Sequence, residues 1–188
     1  MKHQIDKAQL NILLQEEKVD LDSIIVEEIF LEGIVAKRVK FYHCKLVNCS
    51  FSNCDFAGIG FYDSQFINCR FNNCNLISSE FHSGDYSNSV FVDCDFNGAE
   101  LYGADFRDAS FTNAIFDWAG IIDSDLRNAI LENISLRGTG FIGNKIFNTQ
   151  RFSFTNVEFK KFENNDFSEK GDGTEIVVEN EFLQRLSN

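Results

Sequence analysis

Large apolar residues recur every fifth position over the middle of the chain. The series runs Phe41, Leu46, Phe51, Phe56, Phe61, Phe66, Phe71, Leu76, Phe81, Tyr86, Phe91, Phe96, Leu101, Phe106, Phe111, Phe116, Ile121, Leu126, Leu131, Leu136, Phe141 and Ile146, without a miss. With 44% of the chain apolar, such a run has a chance probability on the order of 10⁻⁸. A period of five fits neither regular element. Five helical residues advance about 500°, so the series would spiral around a helix axis. In a straight strand, residues five apart point to opposite faces. A backbone that turns a corner every five residues keeps them all inside. The residues two places earlier are mostly small, as at Cys44, Cys49, Ser64, Cys74, Ala99, Ala104 and Ala119. They predict a second, tighter inward position.

The number of sides follows from composition two places after each large residue. Asn48, Asn68, Asn88, Asp108, Asn128 and Asn148 form one series twenty apart; Asn53, Asn73, Asp93, Asn113 and Asn133 form another. Gly58, Ser78, Gly98, Trp118 and Gly138 form a third. Three-sided coils would mix these classes, whereas four-sided coils stack them. Each residue should then sit about 4.8 Å from its equivalent in the next coil.

Units such as Ala104-Asp105-Phe106-Arg107-Asp108 and Ala99-Glu100-Leu101-Tyr102-Gly103 resemble the pentapeptide-repeat family, whose pattern is Ala-(Asp/Asn)-(Leu/Phe)-x-x. The resemblance implies an all-β solenoid, a right-handed quadrilateral β-helix; its handedness comes from the resemblance alone. The expected organisation is a capping helix at 1–18 and a β-helix at 19–150, with a degenerate first coil at 19–38. An irregular last coil and C-terminal segment should occupy 151–188. In the first segment Ile5, Ala8, Ile12 and Leu13 lie at helical spacing. Leu21, Val26 and Leu31 already hold the five-residue register. After Ile146 it breaks: Arg151 takes the next inward slot, and Phe152, Phe154, Phe159, Phe162 and Phe167 keep fragments of it. Glu175 to Leu186 is expected to form a short helix with Ile176, Leu183 and Leu186 on one side, as a cap or a dimer contact.

Charge narrows the partners. Lys and Arg total 17 against 29 Asp and Glu, a net charge of −12. Direct binding to nucleic acid or to an anionic membrane is therefore not expected. No apolar run approaches a membrane span, and the N-terminal residues do not read as a secretory segment, so the cytoplasm is the expected compartment. The six cysteines, Cys44, Cys49, Cys54, Cys69, Cys74 and Cys94, all take the small inward position and interchange with Ala and Ser. They read as buried reduced thiols. No catalytic constellation, cofactor motif or metal-ligand spacing emerges, and no enzyme activity is expected. His3, His43 and His82 read as solvated or locally paired.

Three outward ladders remain. The Asn ladders read as turn residues with stacked amides. Tyr42, Tyr62, His82 and Tyr102, followed by Ile122 and Ile142, should stack on one outer face, either as a contact surface or as rings stabilising their own sheet. An acidic band holds Glu80, Asp85, Asp93, Asp95, Glu100, Asp105, Asp108, Asp117, Asp123 and Asp125, with Arg107 the one Lys or Arg between 80 and 125. Asp85, Asp105 and Asp125 fall twenty apart. The bland reading of that column is the family's preference for Asp before the large residue, with Arg107 and Arg127 offsetting its charge. The interaction candidates are thus Glu80, Asp85, Glu100, Asp105, Asp125, Tyr42, Tyr62 and Tyr102.

The resemblance also implies function classes. Family members include quinolone-resistance proteins that bind DNA gyrase or topoisomerase IV. An acidic rod that enters a positively charged DNA channel, and so modulates quinolone or toxin susceptibility, is one expectation. Loops that interrupt the repeats in plasmid-type members have no counterpart between 41 and 146, as in loopless mycobacterial-type members. The alternative is a scaffold or an immunity or regulatory protein with no topoisomerase role, acting through a protein partner or as a homodimer through the C-terminal segment.

Overall fold

The structure is a computed structural model describing residues 3–186 apart from 17, 37, 151, 152, 172 and 174. Every member of the five-residue series from Phe41 to Ile146 is buried. The coil repeats every twenty residues: Phe41 pairs with Phe61, Phe61 with Phe81, Phe81 with Leu101, Leu101 with Ile121 and Ile121 with Phe141, all in parallel. The buried rings stack along the axis in the same register. Phe91 lies 5.0 Å from Phe71 and 4.9 Å from Phe111, and Phe96 lies 4.6 Å from Phe116.

Four faces result. The first is an eight-stranded parallel sheet through Asp20–Asp22, Lys40–Tyr42, Gly60–Tyr62, Glu80–His82, Glu100–Tyr102, Gly120–Ile122, Ile134–Ile142 and Phe154–Glu163. The third is six-stranded, from Phe30–Glu32 to Ile130–Glu132. The second begins as strands at His3–Gln4, Ile24–Glu27, Lys45–Val47 and Gln65–Ile67, then continues as single bridges at Asp85, Asp105, Asp125 and Lys145. The fourth consists largely of single bridges, through Val35, Asp55, Asn75, Asp95, Ile115 and Ser135.

Local sequence explains most of this alternation. Where Asp or Asn precedes the large residue between 41 and 146, its Oδ1 accepts the N–H two residues on. Asp55, Asn75, Asp85, Asp95, Asp105 and Asp125 all do so, at 2.9–3.3 Å. Such an Asx turn tightens the side and replaces a three-residue strand by a bridge. Val90 and Glu100 in that slot cannot form it, Ser110 forms it only weakly, and strands result at all three. Ile115 and Lys145 take the tight turn without a side-chain acceptor.

Corners explain the Asn ladders. Asn48, Asn53, Asn68, Asn73, Asn88, Asn113, Asn128, Asn133 and Asn148 have φ between 50° and 61°, the left-handed region that Asn tolerates best after Gly. Their amides also link successive coils, as from Asn73 to Asn53 at 2.8 Å and from Asn133 to Asn113 at 2.7 Å. The interchange of Cys with Ser at the tight inward position has a shared cause. Both donate to a carbonyl in the preceding coil: Cys44 Sγ to Leu21 O at 3.2 Å, Ser64 Oγ to Phe41 O at 3.2 Å. All six thiols are buried and free.

The ends depart from the sequence reading. The helix spans Lys7–Gln15, not 1–18, because Asp6 and Gln9 close a capping box: Asp6 Oδ1 accepts the Gln9 N–H and Gln9 Oε1 accepts the Asp6 N–H, each at 2.8 Å. His3–Gln4 instead adds a strand beside Ile24–Ile25, covering a sheet edge. Leu10 and Leu14 face the core, whereas Ile12 is 62% exposed and Ala8 is also exposed. In the C-terminal segment, Ile176–Val177 pairs antiparallel with Asn165–Asp166, and the helix begins at Glu179. Its anchor is Phe182, fully buried against Phe141, Phe159, Phe162 and Phe167. Ile176, expected on the packed side, is 48% exposed. Arg151, Phe152 and the Leu186 side chain lie outside the described residues.

Candidate interaction site

The eight sequence candidates divide between two adjacent faces. Tyr42, Tyr62, Tyr102, Glu80 and Glu100 belong to the first face, and Asp85, Asp105 and Asp125 to the second.

The acidic column of the second face is largely occupied with local structure. Each of its three carboxylates closes an Asx turn. Asp105 also takes a two-pronged ion pair from Arg107, and Asp125 takes one from Arg127. Burial would raise the Asp105 carboxyl, but the Arg107 guanidinium and N–H hold it below the usual carboxylate range. Arg127 further donates to Lys170 O at 2.9 Å, tying the column to the C-terminal segment. These carboxylates are thus engaged in turns and, for Asp105 and Asp125, in ion pairs. Asp117, one of the ten acids in the band, is buried and pairs with Arg137 at 3.0 Å.

The aromatic ladder forms as spaced. Tyr42 and Tyr62 stack at 4.9 Å, Tyr62 meets His82 edge-on at 5.3 Å, and His82 meets Tyr102 at 6.1 Å. Lys40 Nζ lies 5.2 Å from the centre of the Tyr62 ring and 3.3 Å from its hydroxyl. Tyr42, Tyr62, His82, Ile122 and Ile142 are half-buried, whereas Tyr102 stands 50% exposed. His43 pairs with Asp22 at 2.9 Å, and the Asp22 carboxyl is lowered by that contact.

Beyond Tyr102 the face opens into a groove of about 520 Å³, lined chiefly by Tyr102, Trp118, Gly120, Ile122, Gly140 and Ile142. Glu100 and His82 stand at one end, and Lys160 and Lys161 at the other. Sequence reasoning did not single out Trp118, the two glycines or the lysines. One signal was available: Trp118 interrupts the Gly58, Ser78, Gly98, Gly138 series. It takes the same left-handed corner at φ 60° and is 60% exposed, a conformation that costs a bulky side chain about 1 kcal/mol or more. Among the described residues, no group of three or more His, Cys, Asp or Glu is arranged to hold a metal ion. No described helix is long and apolar enough to cross a membrane.

Family descriptions of repeat proteins match the chain. The description "Pentapeptide repeat region" matches residues 64–141, and "Pentapeptide repeats (8 copies)" matches residues 37–73. Similar solved structures include a trypsin-treated variant of QnrB1, a plasmid-mediated fluoroquinolone resistance protein, at 11% identity over 90% of this chain and 93% of that one, with a TM-score of 0.39. A pentapeptide repeat protein from the Arabidopsis thaliana thylakoid lumen is 16% identical over 55% of this chain and 69% of its own, with a TM-score of 0.40. Rfr23 from the cyanobacterium Cyanothece 51142 is 18% identical over 79% of this chain and 99% of its own, with a TM-score of 0.31. No curated protein matches the chain. On the unbroken five-residue ladder, the four-sided coil it builds and the matches over residues 37–141, the chain belongs to the pentapeptide-repeat family.

Proposed function

We propose that this protein is a non-enzymatic interaction rod that engages a protein partner through its aromatic face. The observation that carries this reading is the continuous outer ladder from Tyr42 to Ile142, ending in an open groove beside an exposed Trp118. A run of half-buried rings that ends in the exposed Tyr102 and Trp118, on one face of a rigid rod, supplies contact area at low entropic cost, and such patches mark partner sites. The test is a capture experiment with two triple variants. Changing Tyr42, Tyr62 and Tyr102 to Ser should remove the bound partner, whereas changing Asp85, Asp105 and Asp125 to Asn should leave it. The opposite result would move the site to the second face.

A second reading is that the acidic surface mimics DNA for a type II topoisomerase, gyrase or topoisomerase IV, and so modulates quinolone or toxin susceptibility. The ten acids against one Arg between 80 and 125 favour it; the turn and ion-pair duties of Asp85, Asp105, Asp117 and Asp125 count against it. Purified gyrase whose supercoiling and quinolone response do not change at about micromolar protein would dispose of this reading.

A further inference from the structure

We propose that the groove on the aromatic face is a docking channel for an extended segment of the partner protein. That segment carries a basic and an acidic side chain four residues apart, with an apolar side chain midway. The proposal names the partner chemistry of the interaction-rod reading and rests on it.

Its floor is one column of the first face. Glu100 pairs with Gly120, Gly120 with Gly140 and Gly140 with Lys161, in parallel register. Two bare positions therefore lie between an acid and a base. The fold does not require glycine at either one. Neither has a left-handed φ; a Cβ on Gly120 would meet Ile122 Cδ1 at 3.6 Å, and one on Gly140 would meet Ala119 O at 3.9 Å, both ordinary contacts. Glycine weakens a strand interior and often marks a place where another group approaches closely. Gly60, in the same column, shows the contrasting case, because the Tyr62 ring covers it, 2.6 Å from where a Cβ would sit. At Gly120 and Gly140 the backbone lies open between two ridges: Trp118 on one side, Tyr102, Ile122 and Ile142 on the other. Trp118 leans over Gly138, whose added Cβ would meet the indole Cε3 at 2.4 Å.

The charges at the two ends differ in sign. The Glu100 side chain is 69% exposed, with His82 Nε2 3.5 Å away, and that nitrogen has no hydrogen-bond partner. At the other end stand Lys160 and Lys161, the latter 2.9 Å from Glu163. Three coil steps of about 4.8 Å set Glu100 and Lys161 about 14 Å apart along that column, which an extended segment spans in four residues at about 3.4 Å each. In that conformation side chains at i, i+2 and i+4 point to one face. A basic residue at i then meets Glu100, an acidic one at i+4 meets Lys160 and Lys161, and an apolar one at i+2 lies over the glycines beside Trp118. Charge complementarity of this kind sets orientation and specificity.

Trp118 is the single tryptophan of the chain, so its emission reports occupancy directly. The probe is the capped pentapeptide Lys-Val-Leu-Val-Glu, titrated against the full-length protein, with Gln-Val-Leu-Val-Gln as the neutral control. A saturable blue shift is expected, weakened about tenfold or more for the neutral peptide. Gly140→Thr, a strand-compatible change, should abolish the shift while leaving the circular dichroism of the fold intact. Glu100→Lys should abolish it too, and the pair Glu100→Lys with Lys161→Glu should restore it, because the peptide can lie in the reverse direction. The proposal is overturned by no saturable shift up to about 5 mM peptide, by equal binding of the neutral peptide, or by binding that survives Gly140→Thr. A shift that follows protein concentration alone would assign the channel to a second copy of the chain and overturn it likewise. If the peptides fail while the Tyr42, Tyr62, Tyr102 variant still loses its partner, the channel falls and the interaction rod stands.

Discussion

Replacing Asp85, Asp105 and Asp125 together, once by Asn and once by Ala, separates the structural use of the acidic column from its electrostatic use. Asn keeps an oxygen that can accept the N–H two residues on, as Asn75 does for Ile77 at 3.0 Å. It removes three negative charges and the ion pairs from Arg107 and Arg127. Those guanidiniums are partly exposed, so each pair contributes about 0.2–1 kcal/mol, and relief of repulsion along the column offsets part of that. The Asn variant should therefore stay within about 1 kcal/mol of the parent. Ala removes the three Asx turn bonds as well, each contributing about 1 kcal/mol. Its loss should reach about 3 kcal/mol or more, a midpoint lower by about 6–12 °C for a chain of this size. Thermal unfolding followed by circular dichroism reads both. Equal destabilisation by Asn and Ala would refute the turn argument and return the column to an electrostatic role.

Other predictions follow the same logic. Phe96→Ala, which empties a fully buried site between Phe91, Phe111 and Phe116, should cost about 3–5 kcal/mol in chemical denaturation. Asn113→Gly should be nearly neutral, whereas Asn113→Val should cost about 1–2 kcal/mol, because φ at this corner is 55°. Burial works to raise the Asp166 carboxyl, but N–H groups of Ser168 and Gly173 and the Ser168 hydroxyl hold it below its ordinary value. A depressed folded-state value stabilises above the unfolded value, near 3.9, and the stabilisation is lost as pH falls through the folded one. Hydrogen exchange should accordingly show the Asn165–Asp166 pairing with Ile176–Val177 opening on acidification below about pH 4, and Asp166→Asn should blunt that response. The six thiols, buried to 2% exposure or less, should resist a thiol-reactive dye until the protein unfolds.

The coil was legible because its cause is repeated many times. A large apolar residue at every fifth place and an Asn or Asp at every twentieth reflect one inward slot and one left-handed corner, each sampled again and again. The ends were not legible, because single contacts decide them. Asp6 starts the helix by pairing with Gln9, so Leu10 and Leu14 face the core in place of Ile12. Phe182 plugs the last coil from a segment with no repeat to follow. The acidic column illustrates a different obstacle: Asp105 in a sequence looks the same whether it shapes a turn or presents a charge, and only its partners, Arg107 and the Arg107 N–H, tell the two apart. The groove needs a register that simple arithmetic misses. Bulges between Ile134–Ile142 and Phe154–Glu163 place Lys161 opposite Gly140, twenty-one residues on instead of twenty.

The most direct measurement is a pair of deletions. Removing residues 79–98 takes out one full coil and rejoins Ser78 to Ala99 with every face aligned; removing residues 79–93 takes out three sides and sets each face against a different one. The four-sided coil predicts that the first deletion gives a cooperatively unfolding β protein, shorter by about 4.8 Å in solution scattering, and that the second does not fold. Equal folding of the two would contradict it.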